Sequence, residues 1–205
     1  MSQDELVCGH SAKKLDQALI KKFRLSESGL ISAAGSSAFR TISEEFPGHN
    51  ALDIFCGPGK NGSDGLSIAK YAKGAGCSVR VYVSNQNTQK NALQLPLFEE
   101  LKQLDISVQF FKDFILRKSI IIDAIFGVGI NRSLSQEVED ILKRINEMPN
   151  PRVAIDVPTG VDPSTGKIEA IAFKANLTIS FFAGKQGTFT GEGRSHSGKV
   201  LVNKL

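Results

Sequence analysis

A glycine-rich segment that directly follows an apolar run most constrains the fold of this chain. The run at 51–56 reads ALDIFC, and the segment at 57–65 reads GPGKNGSDG, with four glycines in nine residues. An apolar run that leads into glycines and then into the helical pattern from Leu66 predicts a strand, a tight loop and a helix start. Glycine lets the backbone approach a ligand closely, and the free amides of a helix N-terminus attract phosphate. The segment therefore predicts an anion site.

Strand-like and helical patterns alternate along the rest of the chain. Helices are predicted before the first strand, one capped by Ser11 and one from about Ser28, and a later helix is predicted to open at Ser133 with Gln136 completing a capping box. The alternation indicates a parallel sheet covered on both faces, so we expect residues 1–205 to form one three-layer α/β domain. The predicted strands are 51–56, 78–83, 106–111, 120–125, 152–156, 177–182 and 199–202.

Composition and charge exclude several classes of function. Lys and Arg number 25 against 21 Asp and Glu, and the scattered net charge of +4 does not require a nucleic acid partner. No apolar stretch approaches the roughly 20 residues that span a bilayer, and the N-terminus lacks the pattern of a signal peptide. The three cysteines have no CxxC spacing, which argues against disulfides and a zinc site, and Cys56 is interpreted as a buried thiol. We expect a soluble, cytoplasmic protein that binds neither nucleic acid nor membrane.

Three loops carry polar side chains to the carboxyl ends of predicted strands, where ligands bind in sheets of this kind. One acidic residue after a strand is more often a turn or helix cap than a ligand. Three such loops at one edge of a sheet favour a binding site. Their polar side chains are Asn61, Asp64, Asp123, Asp156 and Thr159.

Each loop by itself is a weak signal. The spacing Gly57-x-Gly59-x-x-Gly62 matches the dinucleotide fingerprint, which also expects an acidic residue about 20 positions later. The second predicted strand ends in VSNQN at 83–87 without an acid, and this disfavours an NAD dehydrogenase. The same absence leaves a methyltransferase that uses S-adenosylmethionine as a distant alternative. No lysine follows the glycines in the Walker spacing, which excludes a P-loop NTPase.

Taken together, four motifs have a specific resemblance. GPGKNGSDG at 57–65, DAIFG at 123–127, IDVPTG at 155–160 with Asp162, and AGKQG at 183–187 resemble the NAD(P)H-hydrate epimerase family, also called the YjeF N-terminal domain, in order and spacing. The similarity covers nearly the whole chain. It implies a Rossmann-like α/β/α sandwich with an N-terminal helical segment and a mostly parallel sheet.

The resemblance also implies a reaction and partners. Members of the family interconvert the R and S epimers of hydrated NADH or NADPH, called NAD(P)HX, and they are commonly homodimers. A separate ATP- or ADP-dependent dehydratase then repairs the S form. Because the sequence ends at Leu205, we expect that NAD(P)HX dehydratase to be a separate protein.

Site residues follow from the resemblance, position by position. Asp156 is expected to face the nicotinamide ring as the general acid/base. Lys185 is a second catalytic candidate, which touches phosphate, tunes Asp156, or is merely solvated. The expected protein ligands of a potassium ion are Asn61, Asp123 and Thr159. The expected nucleotide-binding residues, besides Asp156, are Lys60, Asn61, Gly62, Ser63 and Asp64 in the first loop and Gly127, Val128, Gly129, Ile130, Asn131, Arg132 and Ser133 in the second.

Two departures from the family pattern concern activity. The family motif usually reads NNGGD, whereas 60–64 reads KNGSD, so we expect Lys60 to pair with phosphate and Ser63 to cap a helix. Where relatives carry MExAG, 31–35 reads ISAAG, so Ser32 replaces a glutamate. These departures keep one alternative open, a non-catalytic nucleotide-binding or scaffold module of the same fold.

Overall fold

Nine strands and five α-helices make up the part of the chain that the computed structural model describes, which is residues 6–9, 11, 26–84, 92–129 and 133–205. Short 3₁₀ segments follow two strands, at Phe111–Asp113 and Gln186–Thr188. The strands are β1 Leu6–Val7, β2 Ala51–Cys56, β3 Ser78–Val83, β4 Ser107–Phe110, β5 Ile120–Ala124, β6 Arg152–Ile155, β7 Leu177–Phe181, β8 Gly184–Lys185 and β9 Lys199–Asn203. The helices are α1 Glu27–Glu45, α2 Lys60–Gly74, α3 Leu95–Gln103, α4 Gln136–Asn146 and α5 Gly191–Ser197.

The main sheet has seven strands in the order β4-β3-β2-β5-β6-β7-β9, and every neighbouring pair is parallel. Chain connections run outward in opposite directions from β2 and from β5. Loops at the carboxyl ends of these two strands diverge and leave a crevice, which is where sheets of this type bind ligands. A separate two-stranded sheet pairs β1 with β8 in parallel, and it was not predicted.

Apolar side chains on both faces of the sheet form two cores. Alternate residues of β2 and β5 point to opposite faces, so each strand contributes to both. One core packs α1, α2 and α3 on the sheet, and the other packs α4 on the opposite face, which confirms the three-layer α/β sandwich. Leu66 of α2 is fully buried in the first core, and such burial stabilises a protein by about 1.5–3 kcal/mol.

The predicted strands are all found, with ends that differ by at most one residue. Helix α1 agrees with the prediction from about Ser28, and its N-cap Ser26 accepts from Gly29 N at 3.0 Å. The helix predicted after Ser11 falls almost entirely outside the described residues. Over the described ranges, we find no helix with the length and apolarity that a membrane span needs.

Helix α2 begins earlier than the sequence pattern predicts. The pattern puts its start near Leu66, but the helix starts at Lys60. Glycine inside a helix costs about 1 kcal/mol relative to alanine, so the glycines favoured a long loop. They are needed for packing instead. A Cβ at Gly62 would collide with Gly57 O, and one at Gly65 would lie 2.6 Å from the Ala124 methyl.

The predicted start of α4 at Ser133 is wrong. The N-cap is Ser135, and Gln136 is the first helical residue. Gln136 Nε2 donates to Asp140 Oδ1 at 2.8 Å, so this side chain bonds forward along the helix and completes no capping box. Two serines precede the same apolar pattern, and the second of them accepts the first helical bond, which runs from Glu139 N to Ser135 O.

Candidate active site

The glycine loop, residues 57–59, connects the end of β2 to the start of α2. It lies beside the end of β5, where Gly57 N donates to Ala124 O at 3.0 Å. A Cβ at Gly57 would collide with Ile125 O, so the two loops of the crevice touch through bare backbone. The first helical bond of α2 runs from Ser63 N to Gly59 O at 3.2 Å. The three amides before Ser63 therefore have no acceptor within the helix. Together with the helix dipole they form an anion-binding end.

Lys60 and Ser63, the two residues at 60–64 that depart from the family motif, occupy different environments. Lys60 is exposed and pairs with Glu27 of α1, with Nζ 2.5 Å from Oε1. Ser63 is fully buried, and its Oγ donates to Gly59 O at 3.4 Å. The prediction that Ser63 caps a helix is wrong, because Gly59 occupies the cap position. Asp64 follows on the helix and is partly buried.

Asn61 is a buried amide without partners. Neither its Nδ2 nor its Oδ1 has a hydrogen-bond partner among the described residues, although both atoms are shielded from solvent. Leaving such a group unpaired costs about 1–3 kcal/mol. Gly127 lies between this amide and the third loop, since a Cβ there would be 3.3 Å from Asn61 Oδ1 and 2.9 Å from Asp156 Oδ2. Asn61, Gly127 and Asp156 therefore converge.

Asp123, near the end of β5, is joined to Thr159 in the third loop. Thr159 Oγ1 and N donate to the two carboxylate oxygens at 2.7 Å each, and Ile125 N adds a third bond at 3.1 Å. Burial raises the pKa of Asp123 to about 6, although the hydrogen bonds from Thr159 and Ile125 oppose the shift. All three donors are neutral, so no cationic side chain offsets this carboxylate within the described residues.

Asp156 and Lys185 form a buried ion pair at the same edge. Lys185 Nζ lies 2.5 Å from Asp156 Oδ1 and also donates to Phe181 O at 3.0 Å. The Lys185 side chain is only 5% exposed, against 14% for Asp156. The reading of Lys185 as a solvated loop lysine is therefore wrong. The pair places Lys185 beside Asp156, and its roles as a phosphate contact or in tuning Asp156 stay predictions.

Two strained turns bring this pair together. Asp156 has φ 69°, and Val157 N bonds back to Ile155 O at 2.9 Å. One strand along, Phe182 has φ 63°, and the amide after it bonds back to the carbonyl before it at 2.7 Å. Non-glycine residues in this region cost of order 1–3 kcal/mol each and concentrate at functional sites. The turns aim Asp156 into the crevice and lead β7 directly into β8, which carries Lys185.

Comparison with known proteins decides the family. The family described as YjeF-related protein N-terminus matches residues 27–187. The chain belongs to the YjeF N-terminal family. A protein from Leuconostoc citreum named NAD(P)H-hydrate epimerase is 30% identical and matches 98% of this chain and 90% of its own length. One of the same name from Limosilactobacillus fermentum is 28% identical over 97% and 96%.

Two further comparisons are with a longer protein and with a solved structure. The Bifunctional NAD(P)H-hydrate repair enzyme Nnr of Coxiella burnetii is 30% identical over 88% of this chain, which spans 37% of that longer protein. The crystal structure of yeast ynu0 superposes with a TM-score of 0.83 at 21% identity, covering 98% of this chain and 88% of the yeast one. That likeness shows that the two chains share a fold.

The second loop of the family pattern is only partly described. Val128 N donates to Asp156 Oδ2 at 3.4 Å, and Gly129 is exposed, so 127–129 borders the crevice. Ile130, Asn131 and Arg132 lie outside the described residues. Ser133 is exposed, and its Oγ donates to Glu169 Oε2 at 3.3 Å.

One polar residue of the site was not predicted from the sequence. Gln94, directly before α3, is fully buried, and its Nε2 donates to Gly57 O at 2.9 Å and Gly59 O at 3.1 Å. It belongs to none of the YjeF motifs, and a glutamine before a helix is ordinary. The sequence signal next to it was the proline at 96, which lies in the first turn of α3 and marks the start of that helix.

The substituted position in α1 contacts a neighbouring helix. Ser32 Oγ and Tyr71 Oη are 2.7 Å apart, which joins α1 to the C-terminal half of α2. Tyr71 lies about 16 Å along that helix from Lys60 at 1.5 Å per residue. Where the YjeF pattern has a glutamate, this chain therefore uses a short hydroxyl to join two helices.

Proposed function

We propose that this protein is an NAD(P)H-hydrate epimerase, an isomerase that interconverts the R and S forms of NAD(P)HX. Relatives of that name match nearly the whole chain and are matched over nearly their whole length. The observation that carries the proposal is the buried Asp156–Lys185 pair, held by a strained turn at the edge where α2 presents its free amides. Proton transfer and phosphate binding are thereby combined in one crevice.

The phosphates of the nucleotide bind at the N-terminus of α2. The amides of residues 60–62 and the helix dipole supply the positive end, and Lys60 adds an exposed charge that can leave Glu27 for a phosphate oxygen. Asp64 and residues 127–129 border the rest of the nucleotide. This arrangement leaves the nicotinamide end of the substrate towards Asp156.

Asp156 is the general acid/base. Its Oδ1 is occupied by Lys185, whereas Oδ2 receives, from the part of the chain that the structure describes, only the long bond from Val128 N at 3.4 Å. Oδ2 is therefore the oxygen that exchanges a proton with the substrate. Epimerisation at C6 proceeds either by loss and return of the hydroxyl as water through a nitrogen-stabilised cation, or by opening and closing of the ring. In the first route the carboxylate also stabilises the cation.

The polar side chains that the three loops carry suit a potassium ion by their chemistry. Asn61, Asp123 and Thr159 offer amide, carboxylate and hydroxyl oxygens, which suit a hard cation. The unpartnered Asn61 Oδ1 and the uncompensated Asp123 carboxylate are both explained by such an ion. When bound, it would supply positive charge beside the carboxylates and the pyrophosphate. The described residues contain no cluster of three or more His, Cys, Asp or Glu side chains that would suit another metal.

The domain organisation, the location and the partners of the protein belong to the same proposal. Residues 1–205 act as one YjeF N-terminal domain, in the cytoplasm and as a homodimer. The product S-NAD(P)HX passes to an NAD(P)HX dehydratase, and the bifunctional name of the Coxiella burnetii relative supports that link. Neither nucleic acid nor membrane takes part.

An epimerisation assay on purified R-NAD(P)HX tests the function. Asp156→Asn should fold, bind nucleotide and lose about 10²–10⁴-fold in kcat, because the proton-transfer group is gone. Asp140→Asn, on the exposed face of α4, is the matched control and should keep full activity. Near-normal turnover by Asp156→Asn would reject the assigned role.

The same assay separates the enzyme from the scaffold alternative. A scaffold module would bind nucleotide or a protein partner and leave R-NAD(P)HX unchanged. A buried ion pair is weak evidence for stability, so a domain without catalysis gains little from keeping Asp156 and Lys185. Wild-type protein that stays folded and never epimerises the substrate would favour the scaffold.

A further inference from the structure

The geometry points to Gln94 as a positioning residue that shapes the phosphate-binding glycine loop, an inference that rests on the proposed epimerase function. Gln94 ends the segment before α3, and its side chain crosses to the loop at 57–59. One amide nitrogen bonds two carbonyls of that loop, Gly57 O and Gly59 O. These two carbonyls bracket the turn that leads into α2.

The two bonds set the direction in which the loop presents its polar groups. A carbonyl oxygen carries partial negative charge and would repel a phosphate. Gln94 holds the Gly57 carbonyl at the back of the loop and, together with Ser63 N, the Gly59 carbonyl, so the amides that follow them are left free at the front, at the N-terminus of α2. The glutamine therefore favours an anion-binding form of the loop before any ligand arrives.

The orientation of the Gln94 amide is decided by its neighbours. Reversing the amide would place Oε1 against two carbonyl oxygens, so the nitrogen must face the loop. Oε1 then has no hydrogen-bond partner among the described residues, although it is buried. A side chain kept only for packing would be more stable as methionine, which has the same shape and no unpaired oxygen. The amide is kept for the two loop bonds.

Asn150 offers a matched comparison at the opposite edge of the sheet. Its Nδ2 also donates to two backbone carbonyls, Arg117 O and Ser119 O, at 2.8 Å each, and it is also buried. It lies just before β6, at the amino end of the strands. Both amides fasten a loop by the same bonds, but only Gln94 fastens the loop that would meet phosphate.

The experiment compares Gln94→Met with Asn150→Leu in the full chain. Each variant removes two donors and keeps the side-chain shape, so both should lower the melting temperature. Only Gln94→Met should raise KM for R-NAD(P)HX, by about tenfold, and weaken binding of ADP-ribose by the same factor, with kcat within about twofold of wild type. ADP-ribose carries the pyrophosphate without the nicotinamide, and its affinity is measured by calorimetry.

The outcomes separate the inference from the function on which it rests. Wild-type protein that binds ADP-ribose but does not epimerise would reject the epimerase, while a selective loss of ADP-ribose binding in Gln94→Met would still support Gln94. Unchanged KM and ADP-ribose affinity in a folded Gln94→Met, or equal changes in Asn150→Leu, would overturn the inference. If Gln94→Met does not fold, the shorter amide of Gln94→Asn replaces it, and wild-type affinity there would overturn the inference equally.

Discussion

Two buried carboxylates on neighbouring strands are stabilised in opposite ways. Asp53 of β2 accepts from Arg80 Nε at 2.8 Å, Arg117 Nε at 3.0 Å and Ser119 Oγ at 2.7 Å. Among the described residues, Asp123 of β5 accepts only from neutral donors of Thr159 and Ile125. Both side chains are almost completely shielded from solvent. The chain supplies the cations for Asp53 and leaves the charge of Asp123 uncompensated.

Position along the strands explains the difference. Asp123 is paired in register with Phe55, two residues beyond Asp53 on β2, so it lies nearer the carboxyl ends where the crevice opens. Asp53 lies nearer the amino ends of the strands, where arginines from β3 and from the loop at 114–119 reach it. A carboxylate that the fold neutralises by itself serves stability. One that the fold leaves without a cation is available for a ligand.

The largest expected effect is on the Asp53 cluster. Asp53→Asn should lower the free energy of unfolding by about 3 kcal/mol, because two mostly buried arginines lose their anion. Urea denaturation measures the change, with the exposed Asp140→Asn as control. Activity per folded molecule should not change. A loss of less than about 1 kcal/mol would mean that Asp53 is not the structural member of the comparison.

Next in size is the response of the Asp123 site to potassium. If an ion compensates this carboxylate, KCl should raise the melting temperature by about 3–5 °C over NaCl at equal ionic strength, and Asp123→Asn should abolish the difference. Asp53→Asn should keep it. Differential scanning calorimetry in the two salts makes the measurement. Equal melting temperatures of the wild-type protein in KCl and NaCl would contradict the potassium proposal.

A smaller effect is expected where the loops converge. Gly127→Ala places a methyl 2.9 Å from Asp156 Oδ2 and 3.3 Å from Asn61 Oδ1, so it should lower kcat/KM by about tenfold through displaced side chains. Gly74→Ala, at the far end of α2, is the control, since a Cβ there meets nothing within 4 Å. Steady-state kinetics on both variants decides. Equal kinetics for the two alanine variants would show that 127 does not border the reacting groups.

The smallest expected effect is at the exposed end of the anion site. Lys60→Gln removes a surface pair with Glu27 and should change the free energy of unfolding by less than about 0.5 kcal/mol. Affinity for ADP-ribose should fall about threefold and depend less on salt, because one phosphate-directed charge is lost. Titration calorimetry at two salt concentrations checks this. Unchanged affinity and salt dependence would leave Lys60 as a surface residue only.

Local patterns predicted the sheet and two of the acidic positions of the site. Runs of β-branched and apolar residues define strands that are buried on both faces, and an acid that follows such a run reaches the carboxyl edge whatever the rest of the chain does. Asp123 and Asp156 were therefore predictable in place. The glycines at 57–65 predicted the turn that joins β2 to α2, and the predicted length of that loop was wrong because two of them serve packing within α2.

Partners far apart in sequence were not predictable. Lys185 lies on β8, which pairs with β1 near the other end of the chain, and its buried side chain reaches Asp156 in the third loop. Gln94 lies directly before α3, and its side chain reaches the glycine loop. No sequence motif marks that contact. Asp53 looked like one more position of an apolar strand, and only the fold brings Arg80 and Arg117 to it.

By itself, the sequence determined the α/β fold, the family and the edge of the sheet to which the polar side chains of the loops are brought, because hydrophobic period and strand-end chemistry act within a few residues of one another. The tertiary structure decided which carboxylate is neutralised by arginine, which lysine is buried, and which amide shapes the loop. Those outcomes depend on burial and on charges brought together from distant segments. Short-range pattern does not encode them, since the free energy of a buried charge is set by the groups that surround it in space.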